Sequence, residues 1–138
     1  MKTPELFSLS DRCFVGKLRV VGIYHTGKRR FIRDNTEKED ELTLKREYDN
    51  KYDEFAVAVY DRYGNKIGYL EKKENEETAF YLDSGYECIA VVSDMDKKSV
   101  TVGIVVDVYC ISDAENMKAL KASFEEHLKN QLFNEDTI

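Results

Sequence analysis

Two β-branched segments with strongly alternating polarity, Tyr86 to Ser93 and Ser99 to Ile111, dominate the second half of this sequence and leave few folds open. Alternation with a period of two turns one face of each segment inward. The short polar connection Asp94-Met95-Asp96-Lys97-Lys98 is too brief for a crossover, so the two should run antiparallel as a long hairpin. A second hairpin is expected from Phe55 to Tyr60, the turn Arg62-Tyr63-Gly64-Asn65, and the return Lys66 to Leu70. Phe14 to Tyr24, with bends at Gly16 and Gly22, and the short Leu42-Thr43-Leu44 complete about six strands. No alternating strand–helix pattern appears, which excludes a doubly wound parallel sheet and favours a small antiparallel barrel.

Two helices are expected. Glu71-Lys72-Lys73-Glu74-Asn75-Glu76-Glu77 is rich in straight-chain residues, with Ala79, Phe80 and Leu82 behind it, and reads as a helix over about 72–83 that ends near Gly85. Ser112 to Glu115 fits a capping box, and Met117, Leu120, Phe124, Leu128 and Leu132 then form one apolar stripe on a C-terminal helix over 112–133. That helix should dock on the barrel domain, residues 1–111. Residues 28–40 carry many charges and few apolar side chains, and read as an exposed loop.

The 138 residues, 42% hydrophobic and 35% charged, suit one domain with a real core, and no repeat or low-complexity linker divides them. No run approaches the ~18 to 20 apolar residues of a membrane span, and Met1-Lys2-Thr3-Pro4-Glu5 lacks an export-signal layout, so a cytoplasmic location is expected. A formal charge of -6 weighs against nonspecific duplex binding, which depends on lysines and arginines displacing counterions. Charge is uneven, however: Lys17, Arg19, Lys28, Arg29, Arg30 and Arg33 crowd the first quarter and give one edge that can meet an anion.

Catalytic chemistry finds little support. Only His25 and His127 are present, neither beside a nucleophile motif, and His127 reads as an exposed residue of the terminal helix. The acids Asp34, Glu37, Glu39, Asp40 and Glu41 lack the glycine and spacing of a calcium loop. Cys13, Cys88 and Cys110 suit neither a disulfide framework nor a zinc knuckle; Cys88 and Cys110 read as buried, inert thiols. No phosphate cradle or dinucleotide fingerprint appears, so neither metal nor cofactor is expected.

The middle of the chain carries the most specific signal. Leu44-Lys45-Arg46-Glu47-Tyr48-Asp49-Asn50-Lys51-Tyr52-Asp53-Glu54-Phe55-Ala56-Val57-Ala58-Val59, followed by Gly64-Asn65-Lys66-Ile67-Gly68-Tyr69-Leu70, resembles the HIRAN domain family. That family combines Arg-Glu or Arg-Asp, Asn-x-Tyr-Asp, Ala-[IV]-x-Val and Gly-x-x-[IV]-Gly-[YH]-[LIV] in this order. Val21-Gly22-Ile23-Tyr24-His25-Thr26-Gly27 is similar to its opening strand, and the resemblance covers about residues 15–85. Four positions depart from it. Tyr48 and Lys51 replace common prolines, Phe55 a common asparagine, and Asn75 a common alanine. The missing prolines remove two fixed φ angles and loosen the rigidity expected of the loop. Asn75 puts a polar group where the inserted helix should face the barrel.

The resemblance implies an OB-like barrel, mostly β, and a noncatalytic module that captures the 3' end of single-stranded DNA. It also implies roles for particular residues. Tyr24 and Tyr52 match the aromatics that hold terminal bases, and Asp53 the acid that takes the terminal 3'-hydroxyl. Asn50 and Lys72 match polar residues near the strand's backbone, and Tyr69 stands where some members have histidine. The chemistry is sound on its own terms. Aromatic faces stack on any base for roughly 1–3 kcal/mol each. A carboxylate repels a continuing phosphate yet accepts a strong hydrogen bond from a free hydroxyl. Lys72 with Lys28, Arg29, Arg30 and Arg33 can neutralise the phosphates that lead away.

Simpler readings stand beside these. Asn50 and Asp53 also suit a turn stabilised by side-chain bonds to backbone, Tyr52 a core aromatic, and Tyr24 a rim residue. Arg46, within a strand, reads as a structural partner of Glu47 or another acid. A different class of function, a protein-interaction module, would use the acidic faces and the apolar stripe of the terminal helix to meet a protein partner or a second copy.

Overall fold

The computed structural model describes residues 11–98 and 102–136, with side chains as far as Leu132. Six antiparallel strands close into a barrel: β1 (Arg12–Val21), β2 (Glu41–Arg46), β3 (Val57–Tyr60), β4 (Lys66–Leu70), β5 (Cys88–Asp96) and β6 (Gly103–Ile111). Their order around the barrel is β1-β4-β3-β2-β5-β6, and β6 pairs back onto β1. This is the mostly β, OB-like architecture expected. Alternate residues fill the interior, among them Leu18 and Val20, Leu42 and Leu44, Val57 and Val59, and Ile104, Val106 and Val108. Closure depends on Gly68 of β4, because a Cβ there would collide with the Val21 carbonyl of β1.

The β5–β6 hairpin is longer than its sequence suggests. A bulge between Val92 and Asp94 resets the alternation, so Asp94-Met95-Asp96 extend β5, with Met95 packed toward the core. The upstream part of the predicted sixth strand, residues 99–101, lies outside the described residues. Cys13, Cys110 and Cys88 face one another across β1, β6 and β5 as free thiols. Cys88 is buried, and its hydrogen bond with Cys110 together with burial pushes its thiol pKa up, in keeping with an inert group.

Three helices accompany the barrel, one more than expected. Residues 28–40 are not simply a loop: Arg29–Asn35 form α1, preceded by a 3-10 turn, Ile23–Thr26. Ile32 is the one fully buried residue of α1, and a single apolar anchor among charges gives no periodicity to detect. The inserted helix, α2, runs Glu76–Asp83 and starts later than expected, because residues 71–74 form a turn closed by Glu74 N–H to the Glu71 carbonyl. Gly85, at φ +90°, ends it as the sequence suggests.

The terminal helix, α3, spans Ala114–Asp136. Its cap is Asp113 rather than Ser112, with Oδ1 accepting the Asn116 N–H at 2.7 Å. Met117 and Leu120 join the core. Phe124 packs on Phe80 and Tyr81 of α2 with ring centroids 5.4 and 6.0 Å away, so this part of the stripe is covered by its own chain. His127 is half-buried rather than exposed: its ring lies 5.1 Å from that of Phe80 and its Nε2 3.6 Å from Glu76 Oε2. No helix among the described residues is long and apolar enough to cross a membrane.

Candidate nucleic-acid interface

The segment between β2 and β3 is a compact turn built from its own side chains. Asn50 Oδ1 accepts the N–H groups of Tyr52 and Asp53 at 2.8 and 3.1 Å, and Asp53 Oδ1 accepts that of Phe55 at 2.9 Å. Arg46 braces the same turn from β2, donating to the carbonyls of Ala56 and Glu54. Its acidic partner is Asp83 of α2, at 2.8 Å, and not Glu47. These bonds fix the backbone that Tyr48 and Lys51, in place of prolines, do not. Tyr52 is left pointing away from the protein at 86% exposure, which rules out a core role for its ring.

Asp53 is tied on its other side as well. Its Oδ2 accepts a 2.7 Å hydrogen bond from Asn75 Nδ2, and the same nitrogen reaches the Phe55 carbonyl at 2.9 Å. Asn75 thus faces inward at the start of α2, as its position predicts, and uses its amide to lock the turn against the helix. Lys72 Nζ donates to the Tyr52 carbonyl at 2.8 Å, which brings its ammonium to the base of the exposed ring.

Glu47 links this turn to β4. Its Oε1 accepts from the Tyr69 hydroxyl at 2.7 Å and from Asn50 Nδ2 at 3.2 Å, while Oε2 pairs with Lys66 Nζ at 2.7 Å. Burial pulls the Glu47 carboxyl up, but the bonds from Lys66, Tyr69 and Asn50 outweigh it and leave the group below the ordinary glutamate range. Lys66 is displaced upward, chiefly by its bond to Glu47 and then by that to Tyr69. Asn50, Tyr52, Asp53, Tyr69 and Lys72 therefore belong to one hydrogen-bonded assembly. Its hub, Glu47 with Lys66, escaped the sequence reading, although Glu47 lies inside the quoted motif.

Tyr24 makes none of these hydrogen bonds. It sits in the 3-10 turn, 61% exposed, beside Gly22, where a Cβ would lie 3.8 Å from the Tyr69 ring. Two hollows meet at Tyr24. One, of about 310 Å³, runs along Arg19 to His25 and the start of β6; the other, of about 280 Å³, is lined by Tyr24, Gly27, Arg29 and Arg30. The Arg29 guanidinium lies 5.6 Å from the Tyr24 ring centroid. Of the other basic candidates, Lys28 bonds Asn65 Oδ1 at 3.2 Å and Arg33 pairs with neighbouring Asp34 at 3.0 Å, which turns Arg33 toward a local acid.

The model of the HIRAN domain family matches residues 15–123. The chain belongs to the HIRAN domain family. No curated protein shows a significant match. Among solved structures, a Lactobacillus plantarum protein superposes with a TM-score of 0.69 at 20% identity, covering 73% of this chain and 96% of that one. The crystal structure of the human HLTF HIRAN domain gives a TM-score of 0.60 at 24% identity over 85% of this chain and 93% of that domain. The same human domain in its DNA-bound conformation gives 0.52 at 24% identity, over 85% and 92% of the two chains. At these identities the neighbours show a shared fold. The β3–β4 and β5–β6 hairpins and the Asn-x-Tyr-Asp turn all fall within the matched region.

Proposed function

We propose that this HIRAN domain is a noncatalytic module that binds single-stranded DNA and selects its 3'-hydroxyl end. What supports the reading is the exposed Tyr52 ring on an assembly that contains Asn50, Asp53, Tyr69 and Lys72, together with a second exposed ring, Tyr24, in the turn that follows Gly22 beside Tyr69. Each ring offers a face to a base, and stacking tolerates any sequence. Asp53 has one hydrogen bond on each oxygen, and a carboxylate has about four lone-pair sites, so acceptor capacity remains for a terminal hydroxyl. An internal phosphate at the same place would meet a negative charge held in position by Asn75 and the Phe55 amide. Lys72, Lys28, Arg29 and Arg30 supply positive charge along the approach. The HLTF HIRAN domain has a DNA-bound conformation, which makes DNA the ligand to test first.

The deciding experiment titrates the protein with one oligonucleotide ending in a free 3'-hydroxyl and with the same strand ending in a 3'-phosphate. Tighter binding of the hydroxyl form is expected. Equal affinity removes end selection, and no binding of either at low salt removes the DNA reading.

A further inference from the structure

We infer that Phe31 and Tyr63 form a second stacking subsite, which takes a base of the strand upstream of its captured end; this rests on the proposed single-strand binding and extends it to residues outside the family motif. Phe31 of α1 and Tyr63 of the β3–β4 turn are 41% and 53% exposed, and their rings meet edge to face with centroids 5.9 Å apart. Large aromatic side chains brought together from separate elements, yet left in contact with solvent, retain apolar surface that a base can cover.

The pair is preorganised. Asp61 is buried at the start of the turn, where Oδ1 accepts the N–H groups of Tyr63 and Asn65, both at 2.9 Å, and Oδ2 accepts Asn65 Nδ2 at 3.3 Å. Gly64 adopts φ +83°, which closes the turn without strain. On the other side, buried Ile32 anchors α1, and Lys28 Nζ bridges to Asn65. Little ordering entropy is left to lose when a ligand arrives.

Its charge complements a phosphodiester chain. The Arg62 guanidinium carbon lies 5.0 Å from the Tyr63 ring centroid, and Lys28, Phe31 and Asn65 line a hollow of about 220 Å³. Two acids act on Arg62, and both are engaged: Asp61 accepts backbone N–H groups within the turn, and Asp40 Oδ2 accepts the Glu37 N–H at 2.9 Å. Helix α1 is also the shared wall, because its Arg29 and Arg30 line the hollow beside Tyr24 while Phe31 lines this one. A strand ending near Tyr24 and Tyr52 would cross the cations of α1 and reach the aromatic pair a few nucleotides upstream.

Fluorescence anisotropy with (dT)3 and (dT)10, each ending in a 3'-hydroxyl, tests the inference. The double variant Phe31→Ala/Tyr63→Ala should bind (dT)10 roughly 5- to 100-fold more weakly than the parent while (dT)3 affinity stays within about twofold. The chain has no tryptophan, so Phe31→Trp supplies a single reporter. Its emission should be quenched by (dT)10 and left unchanged by (dT)3. Unchanged (dT)10 affinity in the double variant, as expected of a patch that instead receives an acidic peptide, overturns the subsite, as does an unquenched Trp. Those results leave end binding intact; failure of the parent to bind either oligonucleotide overturns the underlying reading and the subsite with it.

Discussion

Asn75 holds Asp53: the side-chain amide of the residue preceding α2 donates a 2.7 Å hydrogen bond to the carboxylate of the β2–β3 turn. Asn75 is completely buried, and its Oδ1 has no hydrogen-bond partner among the described residues. The amide therefore acts mainly as a donor, toward Asp53 and the Phe55 carbonyl. Where alanine is common in the family, this chain carries a group that fixes the position of the acid proposed to meet a strand's end.

Replacing that donor separates its roles. Asn75→Ala leaves Asp53 and the Phe55 carbonyl short of a partner and should cost about 1–3 kcal/mol. Asn75→Asp should be worse at neutral pH, because it confronts Asp53 with a second carboxylate in a buried site, which raises the pKa of the pair above its unfolded value. A raised carboxyl pKa destabilises above that value, so the Asp variant should recover stability as the pH falls toward 4. Urea denaturation at pH 7 and pH 4 checks both. An Asp variant as stable as the parent at pH 7 would contradict the donor role.

Tyr52 offers the opposite case, a motif residue that the fold scarcely needs. With so exposed a ring, Tyr52→Ala should change stability by no more than about 0.5 kcal/mol. The same change should weaken single-strand binding by about 1–3 kcal/mol, or roughly 5- to 150-fold. Thermal melting and anisotropy on one preparation distinguish lost binding from lost structure.

What could be read from the sequence depended on how far apart the interacting residues lie. The Asn50–Asp53 turn is local chemistry, an amide and an acid bonding backbone two or three residues on, and the strands announce themselves by alternation. Contacts between distant segments carried no such mark. Glu47 and Tyr69 are 22 residues apart, and nothing in either neighbourhood says that they meet. Phe31 and Tyr63 lie in separate polar segments, and only the fold brings α1 to the β3–β4 turn. Arg46 shows the intermediate case: a buried strand position demanded an acid, but only the fold could choose Asp83 over adjacent Glu47.

The cations of α1 should be visible in salt dependence. Each lysine or arginine that neutralises a phosphate on a single strand contributes about 0.7 to the slope of log K against log salt. Arg30→Ala should therefore reduce the magnitude of that slope by about 0.7 for (dT)10. Arg33→Ala should change it less, because Arg33 already pairs with Asp34. Equal effects of the two substitutions would show that α1 contributes only a general field. Titrations at four or five salt concentrations provide the measurement.

The Glu47 hub gives the barrel an acid-sensitive link. Its carboxyl is held below the ordinary value of 4.5, so the stability it contributes is complete above that value and drains away as the pH falls through the lower folded value. Lys66 is shifted upward, so its contribution is complete below 10.5 and is lost only at more alkaline pH. Acid unfolding should thus report on Glu47 and not on titration of Lys66. Glu47→Gln keeps an acceptor for Tyr69 but removes the charge opposite Lys66; the partly exposed pair makes a loss of about 1 kcal/mol reasonable at pH 7. The difference between parent and variant should shrink between pH 5 and pH 3, as the parent's carboxylate becomes neutral. A difference that stays constant across that range would mean that packing, rather than the ionised hydrogen bonds, accounts for the loss.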